Sequence, residues 1–262
     1  MKYVIDLNMA QKPKLEEFLK NGNEFIITDD FFLEPFKAYD LNTTLNFLKK
    51  NTKILKKYPL QIYGVFDRNE LIRKEMELGK PIKSQDIICN ERTEIIRNLL
   101  KNDNNLKKGI ASIENLAKEH IIFHNNYNET FIRGTAQIAY DLLKDANTIK
   151  EYKNNKQKTL SDTIDVAFQS MDIFLQENCT EIYNKNIFRE NISIIFSHIF
   201  INTWRSVQWA LKDGFSNATK KIYGDTYDIK YTLVSCFFDG LLTNEQWMID
   251  CRNETLSIFE NI

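Results

Sequence analysis

The sequence predicts an α/β fold in which a small parallel sheet, built from both ends of the chain, is interrupted by a large α-helical insertion. A β-branched and aromatic run at residues 3–5 is typical of a buried strand, and the polar sequence Asp-Leu-Asn follows it directly. A second short run, residues 241–243, comes after a late helical segment. Between these ends, residues 81–221 show helical periodicity with few turn signals.

The first 80 residues carry the remaining strands of the predicted sheet. Thr28 or Asp29 is the expected N-cap of a helix that follows the second strand, and Glu34 lies about one turn into that helix. The elements expected in this part are a helix at 14–20, a turn at 21–23, a strand at 25–28, a helix at 40–58 and, at 60–66, either a strand or a buried connector.

The insertion is predicted to be a bundle of helices. Apolar residues recur at helical spacing in four segments, which are residues 95–100, 132–143, 160–175 and 192–211. We therefore divide the chain into residues 1–80 and 222–262, which form the α/β core, and residues 81–221, which form the insertion.

The C-terminal segment contains a predicted helix, a glycine and a short strand. At 3.6 residues per turn, Asp228 and Asp239 share one face of this helix, and Gly240 stands where the helix is expected to end. Eleven residues of helix span roughly 16 Å, which is too far for Asp228 and Asp239 to bind one ion. Asp228 therefore needs partners from elsewhere. Asp6 and Glu245, each expected at the carboxyl end of a strand, are the partners we predict.

These residues resemble the motifs of the PIN-domain (PIN-like) nucleases. The shared features are an N-terminal strand ending in Asp-x-Asn, a second strand leading to a helix that carries Glu, and a late helical Asp followed 17 residues on by Leu-x-Thr-x-acid. In that family, four acidic positions bind one or two Mg²⁺ or Mn²⁺ ions, which activate water for phosphodiester cleavage. The resemblance covers about the first 40 and the last 40 residues.

The resemblance implies a specific set of catalytic and metal-binding acids. One position departs from the common pattern, because Glu245 stands where Asp is usual. Carried over residue by residue, the acids are Asp6, Glu34, Asp228 and Glu245, with Asn8 and Thr243 as supporting polar groups.

The implied function is metal-dependent endoribonuclease activity that hydrolyses RNA phosphodiester bonds, in a PIN-like core that acts as a bacterial toxin or phage-defence effector. A toxin of this kind implies an inhibitor or partner protein. Two alternatives stay open: a DNA flap or single-strand nuclease of the same fold, and a catalytically weak nucleic-acid-binding or protein-binding module. An aspartate-nucleophile phosphatase is ranked last, because Asn8 occupies the position where its second Asp would be required.

Charge composition excludes a global attraction to polyanions. The chain has 35 Lys and Arg against 36 Asp and Glu, so RNA must bind local basic clusters. A solvated helix face is the alternative interpretation of each cluster. Three clusters are available. The first is Lys49, Lys50, Lys53, Lys56 and Lys57, the second is the four lysines of residues 150–158, and the third is Arg205 with Lys212, Lys220 and Lys221, which leads into the Asp228 helix.

Several features indicate a cytoplasmic protein without a membrane partner. Asp6 interrupts the first apolar run, which excludes a signal peptide there, and no segment approaches the roughly 20 apolar residues of a membrane span. The four cysteines include no Cys-x-x-Cys and are expected to be reduced. His120 and His124 have the spacing of half a zinc site, but no third ligand completes it.

Overall fold

A computed structural model describes residues 1–37, 40–119, 143, 146–179, 183–213 and 215–260, and leaves the side chains of residues 37 and 213–224 undescribed. Its described part is mixed α/β and mostly helical, with a small four-stranded parallel sheet. The predicted α/β class with a small parallel sheet is therefore confirmed. Residues 132–142 of one predicted helix lie outside the described residues, as do His120 and His124.

The strands are β1 (Lys2–Ile5), β2 (Glu24–Ile27), β3 (Ile62–Gly64) and β4 (Gly240–Leu242), in the spatial order β3-β2-β1-β4. Val4 of β1 pairs with Ile26 on one side and with Leu241 on the other. Val4, Ile5 and the last three residues of β2 are fully buried, as expected for parallel strands covered on both faces.

Helices account for most of the remaining described chain. In chain order they are α1 (Pro13–Lys20), α2 (Asp30–Leu33), α3 (Leu41–Asn51), α4 (Arg68–Leu78), α5 (Ser84–Ile87), α6 (Asn90–Lys101), α7 (Asp103–Ser112), α8 (Ala146–Asn154), α9 (Lys156–Asn178), α10 (Lys185–Glu190), α11 (Ile194–Asp213), α12 (Phe215–Ser235) and α13 (Gln246–Glu260). Short 3-10 turns cover Leu7–Met9, Glu34–Lys37, Leu55–Lys57 and Pro59–Gln61. No described helix is long and apolar enough to cross a membrane.

The chain divides into two compact units. The sheet unit comprises Met1–Arg68, Lys83–His124 and Val234–Ile249, and the helical unit comprises Asn69–Ile82, Asn125–Leu233 and Asp250–Ile262. Residues 81–221, predicted as one insertion, thus contribute to both units.

In the sheet unit, helix α6 covers the outer edge of β3. Arg97 donates from Nε to the Ile62 carbonyl (3.1 Å) and from a terminal nitrogen to the Leu60 carbonyl (3.0 Å). Thr93 receives a hydrogen bond from the Gly64 amide (3.0 Å). An exposed strand edge invites pairing with another chain, and these side chains occupy that edge instead. Helix α6 therefore belongs to the sheet unit, because its side chains complete the hydrogen bonding of β3.

In the helical unit, α9 packs against α11 through aromatic side chains, with the Phe168 and Phe196 rings 4.4 Å apart. The start of α11 is held by a buried acid. Glu75 is fully buried, and its carboxylate accepts hydrogen bonds from the backbone amides of Ile194 (2.8 Å), Ile195 (2.9 Å) and Ile82 (3.1 Å). An acid at this position satisfies amides that have no partner within the helix and complements the helix dipole.

Two expectations for the C-terminal segment are wrong. Helix α12 ends at Ser235, so Asp239 does not lie on it, and Gly240 is the first residue of β4 rather than the end of a helix. The reason is long-range pairing with the first strand. The Asp239 amide donates to the Lys2 carbonyl (2.9 Å), and the Asp239 carboxylate accepts from the Lys2 amide, which draws the chain out of the helix before β4 begins.

The helix predicted at 40–58 is shorter than expected. Asp40 caps α3 by accepting from the Thr43 amide (2.9 Å), and the helix ends at Asn51. There the Asn51 amide donates to the Phe47 carbonyl (2.8 Å) and the Thr52 hydroxyl to the Leu48 carbonyl (2.7 Å). Such local side-chain bonds compete with continuation of the helix.

Candidate active site

Asp6 is the best-defined acid of the predicted site. It follows β1 directly and is only 1% exposed. Its amide donates to the Leu242 carbonyl (3.0 Å), so the ladder between β1 and β4 extends through this residue. Its carboxylate accepts from the Thr243 hydroxyl (2.9 Å) and, more weakly, from the Asn8 amide (3.3 Å). The side chain is therefore fixed at the carboxyl end of the first strand.

The order of the strands makes this end of the sheet a topological switch point. From β1 the chain adds β2 and β3 on one side, and later adds β4 on the opposite side of β1. In open α/β sheets, ligands bind in the crevice outside the carboxyl ends of the strands where the order reverses. Asp6 after β1 and Thr243 after β4 are the residues at that point.

Thr243 connects Asp6 to the second acid of the site. Its hydroxyl oxygen accepts from the Glu245 amide (3.0 Å) while its proton is donated to Asp6. Glu245 is exposed, and its charge acts on Asp6. The loop after β4 thus brings Thr243 and Glu245 close to Asp6.

Burial raises the pKa of Asp6 above its usual range, and the charge of Glu245 raises it further. The hydrogen bonds from Thr243 and Asn8 oppose this effect by stabilising the ionised carboxylate. A buried acid beside a second acid is stabilised by a nearby cation, because the cation favours the charged form of both groups.

The end of β2 adds two buried polar residues to the same edge. Thr28 and Asp30 are each 5% exposed, and Asp30 lies in the first turn of α2. Asp29 is the N-cap of α2, makes no side-chain capping bond, and pairs with Arg92 (3.0 Å). From the sequence alone, Thr28 and Asp29 are expected only as caps of the helix that follows. The sequence signal that could have placed Thr28 and Asp30 at this edge is the Thr-Asp-Asp sequence directly after an apolar strand.

Glu34 and Asp228 lie in different units. Glu34 is half-buried and belongs to the sheet unit, as Asp6 and Glu245 do. It caps the C-terminus of α2, where its backbone amide donates to the Asp30 carbonyl. Asp228 is half-buried on α12 in the helical unit, where its carbonyl accepts from the Thr232 hydroxyl (2.8 Å). The roles of both acids as ligands remain predictions.

The donors at the switch point fit a hard divalent cation. Mg²⁺ and its analogues take oxygen ligands, and Mg²⁺ is commonly bound by one or two carboxylates together with substrate phosphates and water. Asp6 and Glu245 supply two carboxylates, and Thr243 fixes one of them. Within the described ranges, no group of three or more His, Cys, Asp or Glu side chains is arranged to hold a metal ion. The arrangement therefore suits an ion whose coordination a phosphate completes.

The predicted RNA-binding residues have different environments. Two members of the first lysine cluster are paired with acids that are distant in sequence, Lys56 with Asp103 and Lys57 with Glu16 (2.9 Å). Lys50 and Lys53 are exposed, and Lys49 is half-buried. The role of these three lysines in RNA binding stays a prediction.

Arg205, in the third cluster, is compensated within the helical unit. Its guanidinium donates to Asp225 from Nε (2.7 Å) and from a terminal nitrogen, and it lies 5.0 Å from the centre of the Trp209 ring. The side chains of Lys220 and Lys221 lie outside the described residues. Contact of this cluster with RNA stays a prediction.

No family model matches the chain, and no curated protein or solved structure matches it significantly. The function of this chain is therefore inferred from its own residues, and its resemblance to the PIN-like nucleases stays a prediction.

Proposed function

We propose that this protein is a metal-dependent endoribonuclease whose active site lies at the carboxyl ends of β1 and β4. The observation that carries the proposal is Asp6. It is a buried acid at the switch point of a parallel sheet, held by Thr243 and close enough to Glu245 for the charge of Glu245 to act on it. Burying an acid costs free energy unless it is paired or binds a cation, so such an acid marks a functional site.

The chemistry follows from the oxygen donors. A bound Mg²⁺ or Mn²⁺ would lower the pKa of water and offset negative charge on the leaving oxygen of a phosphodiester. Asp6 and Glu245 would hold the ion, with Glu34 and Asp228 as the further ligands that the PIN-like resemblance implies. Thr243 keeps one oxygen of Asp6 oriented, and exposed Glu245 leaves the site open to substrate.

The near-neutral net charge bears on how the substrate is held. With 35 basic and 36 acidic residues, no long-range field draws RNA to the protein, and two carboxylates at the site repel phosphate. Substrate binding therefore requires the cation at the site together with local lysines such as Lys50 and Lys53. A single-stranded RNA contacted by a few lysines and one ion would bind weakly at high salt.

Cleavage of labelled RNA by the purified protein tests the proposal. We expect cleavage with Mg²⁺ or Mn²⁺, none with EDTA, and loss of cleavage in Asp6→Asn and Glu245→Gln. Asp239→Asn is the matched control, because Asp239 is an exposed acid of the sheet unit that directly precedes β4, at the amino ends of the strands and so opposite to Asp6. Asparagine keeps an oxygen that can accept the hydrogen bond from the Lys2 amide. Cleavage that persists in EDTA, or that survives Asp6→Asn, contradicts the proposal.

The same assay separates the alternatives. Single-stranded and flap DNA are offered beside the RNA under identical ionic conditions. Cleavage of DNA alone would replace the proposal with the DNA nuclease, and RNA binding without cleavage would replace it with the binding module.

A further inference from the structure

Two threonines flank Asp6 at the carboxyl edge of the sheet. Ile5 pairs with Leu242, and the hydrogen bond from the Asp6 amide to the Leu242 carbonyl continues this register, which brings Thr243 beside Asp6. On the other side, Val4 pairs with Ile26. Extending this register by two residues, just past the ends of both strands, places Thr28 opposite Asp6. Residues paired across parallel strands face the same side of the sheet, so Thr28 and Thr243 approach Asp6 from opposite neighbours.

The two hydroxyls differ in one respect. Thr243 donates to Asp6 at 2.9 Å. Thr28 is 5% exposed, and its hydroxyl is buried without a hydrogen-bond partner among the described residues. Buried polar groups are nearly always hydrogen-bonded, and an exception calls for a physical reason.

The local geometry limits which acceptor Thr28 can serve. Its carbonyl already accepts from the Phe31 amide (3.1 Å) at the start of α2, so the backbone position of Thr28 is fixed. The neighbouring acid Asp29 is paired with Arg92. The hydroxyl can still rotate about χ1 between staggered positions, and Asp6 lies beside it in the extended register. A carboxylate accepts several hydrogen bonds, so a bond from Thr243 leaves capacity for a second donor.

We propose that Thr28 is a positioning residue of the candidate active site, whose hydroxyl donates to Asp6 from the β2 side when a divalent cation is bound. This inference rests on the proposed function. Carboxylates that bind metal ions are themselves held by hydrogen bonds, and removing such a partner weakens metal binding about 10- to 100-fold. Two hydroxyls, one from each neighbouring strand, fix the plane of the Asp6 carboxylate more tightly than Thr243 alone.

The affinity for Mn²⁺, measured by titration calorimetry on the full chain, tests the inference without requiring catalysis. Mn²⁺ binding that the wild type shows and Asp6→Asn lacks is assigned to the candidate active site. Thr28→Val removes the hydroxyl while keeping the shape of the side chain, and we expect it to weaken Mn²⁺ binding about 10- to 100-fold. Thr28→Ser restores the hydroxyl and should return the affinity to near that of the wild type. If the valine variant does not fold, Thr28→Ala takes its place in the Mn²⁺ titration.

Thr44→Val is the matched control. Thr44 is fully buried on α3 in the same unit, and its hydroxyl also has no hydrogen-bond partner in the described part of the chain. We expect this variant to bind Mn²⁺ as the wild type does. Wild-type affinity in both Thr28→Val and Thr28→Ala overturns the positioning role alone. Absence of Mn²⁺ binding in the wild type overturns the metal site of the proposed function and the inference together.

Discussion

The hydroxyl of Thr243 donates a 2.9 Å hydrogen bond to the carboxylate of Asp6, a residue 237 positions away in the chain. This bond forms only when β4 is paired with β1, because the two residues extend the paired strands by one position. The candidate site is thus assembled by closing the largest loop in the sheet unit. A metal bound there should stabilise the folded sheet, since ligands that bind only the native state shift the unfolding equilibrium.

Asp6→Asn should abolish cleavage and raise the thermal stability of the metal-free protein. The substitution removes a proposed ligand, and we expect activity to fall at least about 100-fold. It also removes a buried acid whose pKa is raised by burial and by the charge of Glu245, so the neutral amide relieves an unfavourable charge. Thermal unfolding of both proteins in EDTA, beside the cleavage assay, checks both parts. A lower melting temperature in the variant would show that the Asp6 carboxylate supports the fold.

Glu75→Gln should change how stability depends on pH. Burial raises the pKa of Glu75 from 4.5 to about 7, against the three backbone amides that favour its charged form. Because the folded-state pKa is the higher one, the contribution of Glu75 to stability is fully present below pH 4.5 and is lost as the pH rises through about 7. At about 1.4 kcal/mol per pKa unit, the loss is roughly 3 kcal/mol.

Urea unfolding of the wild type and of Glu75→Gln across this pH range measures the effect. The glutamine does not ionise, so the difference between the two unfolding free energies isolates Glu75 from other titrating groups. We expect the difference between the two unfolding free energies to shift in favour of the variant by roughly 3 kcal/mol between pH 4.5 and pH 8. A pH-independent offset is also expected, because the amide nitrogen of glutamine cannot accept one of the three backbone hydrogen bonds. Parallel pH profiles would contradict the account of Glu75.

Lys50→Ala combined with Lys53→Ala should weaken RNA binding and reduce its salt dependence. Both side chains are exposed, and neither joins the ion pairs that engage Lys56 and Lys57. Each lost contact with a single-stranded phosphate backbone lowers the log-log salt slope by about 0.7. Filter binding over a salt series measures the slope. Lys56→Ala combined with Lys57→Ala is the control that removes the same charge from acid-paired positions and should leave the slope nearly unchanged.

Arg205→Ala should destabilise the helical unit. The Arg205 and Asp225 side chains are 17% and 14% exposed, so the variant leaves Asp225 largely buried without its guanidinium partner. Breaking such a pair costs on the order of 2 kcal/mol, between the values for exposed and fully buried pairs. Denaturant unfolding checks the loss, and the double variant with Asp225→Ala should recover part of it. Unchanged stability in Arg205→Ala would mean that the ion pair contributes nothing.

Local signals in the sequence were sufficient for the main elements of the sheet. The β-branched runs before Asp6 and before Thr28 both form strands, and the residues around Gly22 form the predicted turn, where φ is 77°. The position of Asp6 at a strand end also follows from local pattern. Its contact with Thr243 was predictable because parallel strands end at a common edge.

Contacts between distant residues explain what the sequence did not reveal. Asp239 leaves the helix because it pairs with Lys2, 237 positions away, and no local pattern encodes that pairing. Glu75 looks like an ordinary helix-surface acid in the sequence, yet it binds amides at the start of α11, more than 100 positions later. The assignment of α6 to the sheet likewise depends on Arg97 reaching the carbonyls of β3 and its preceding turn.

A crystal structure of the protein soaked in Mn²⁺, with anomalous scattering recorded for the metal, tests the central claim most directly. We predict an anomalous peak roughly 2.0–2.6 Å from an Asp6 carboxylate oxygen. Glu245 should contact the same ion directly or through water, and the peak should be absent in Asp6→Asn crystals soaked in the same way. A fully soaked crystal with no peak at Asp6, or with its strongest peak at another cluster of acids, would contradict the claim that this edge of the sheet is a metal-dependent active site.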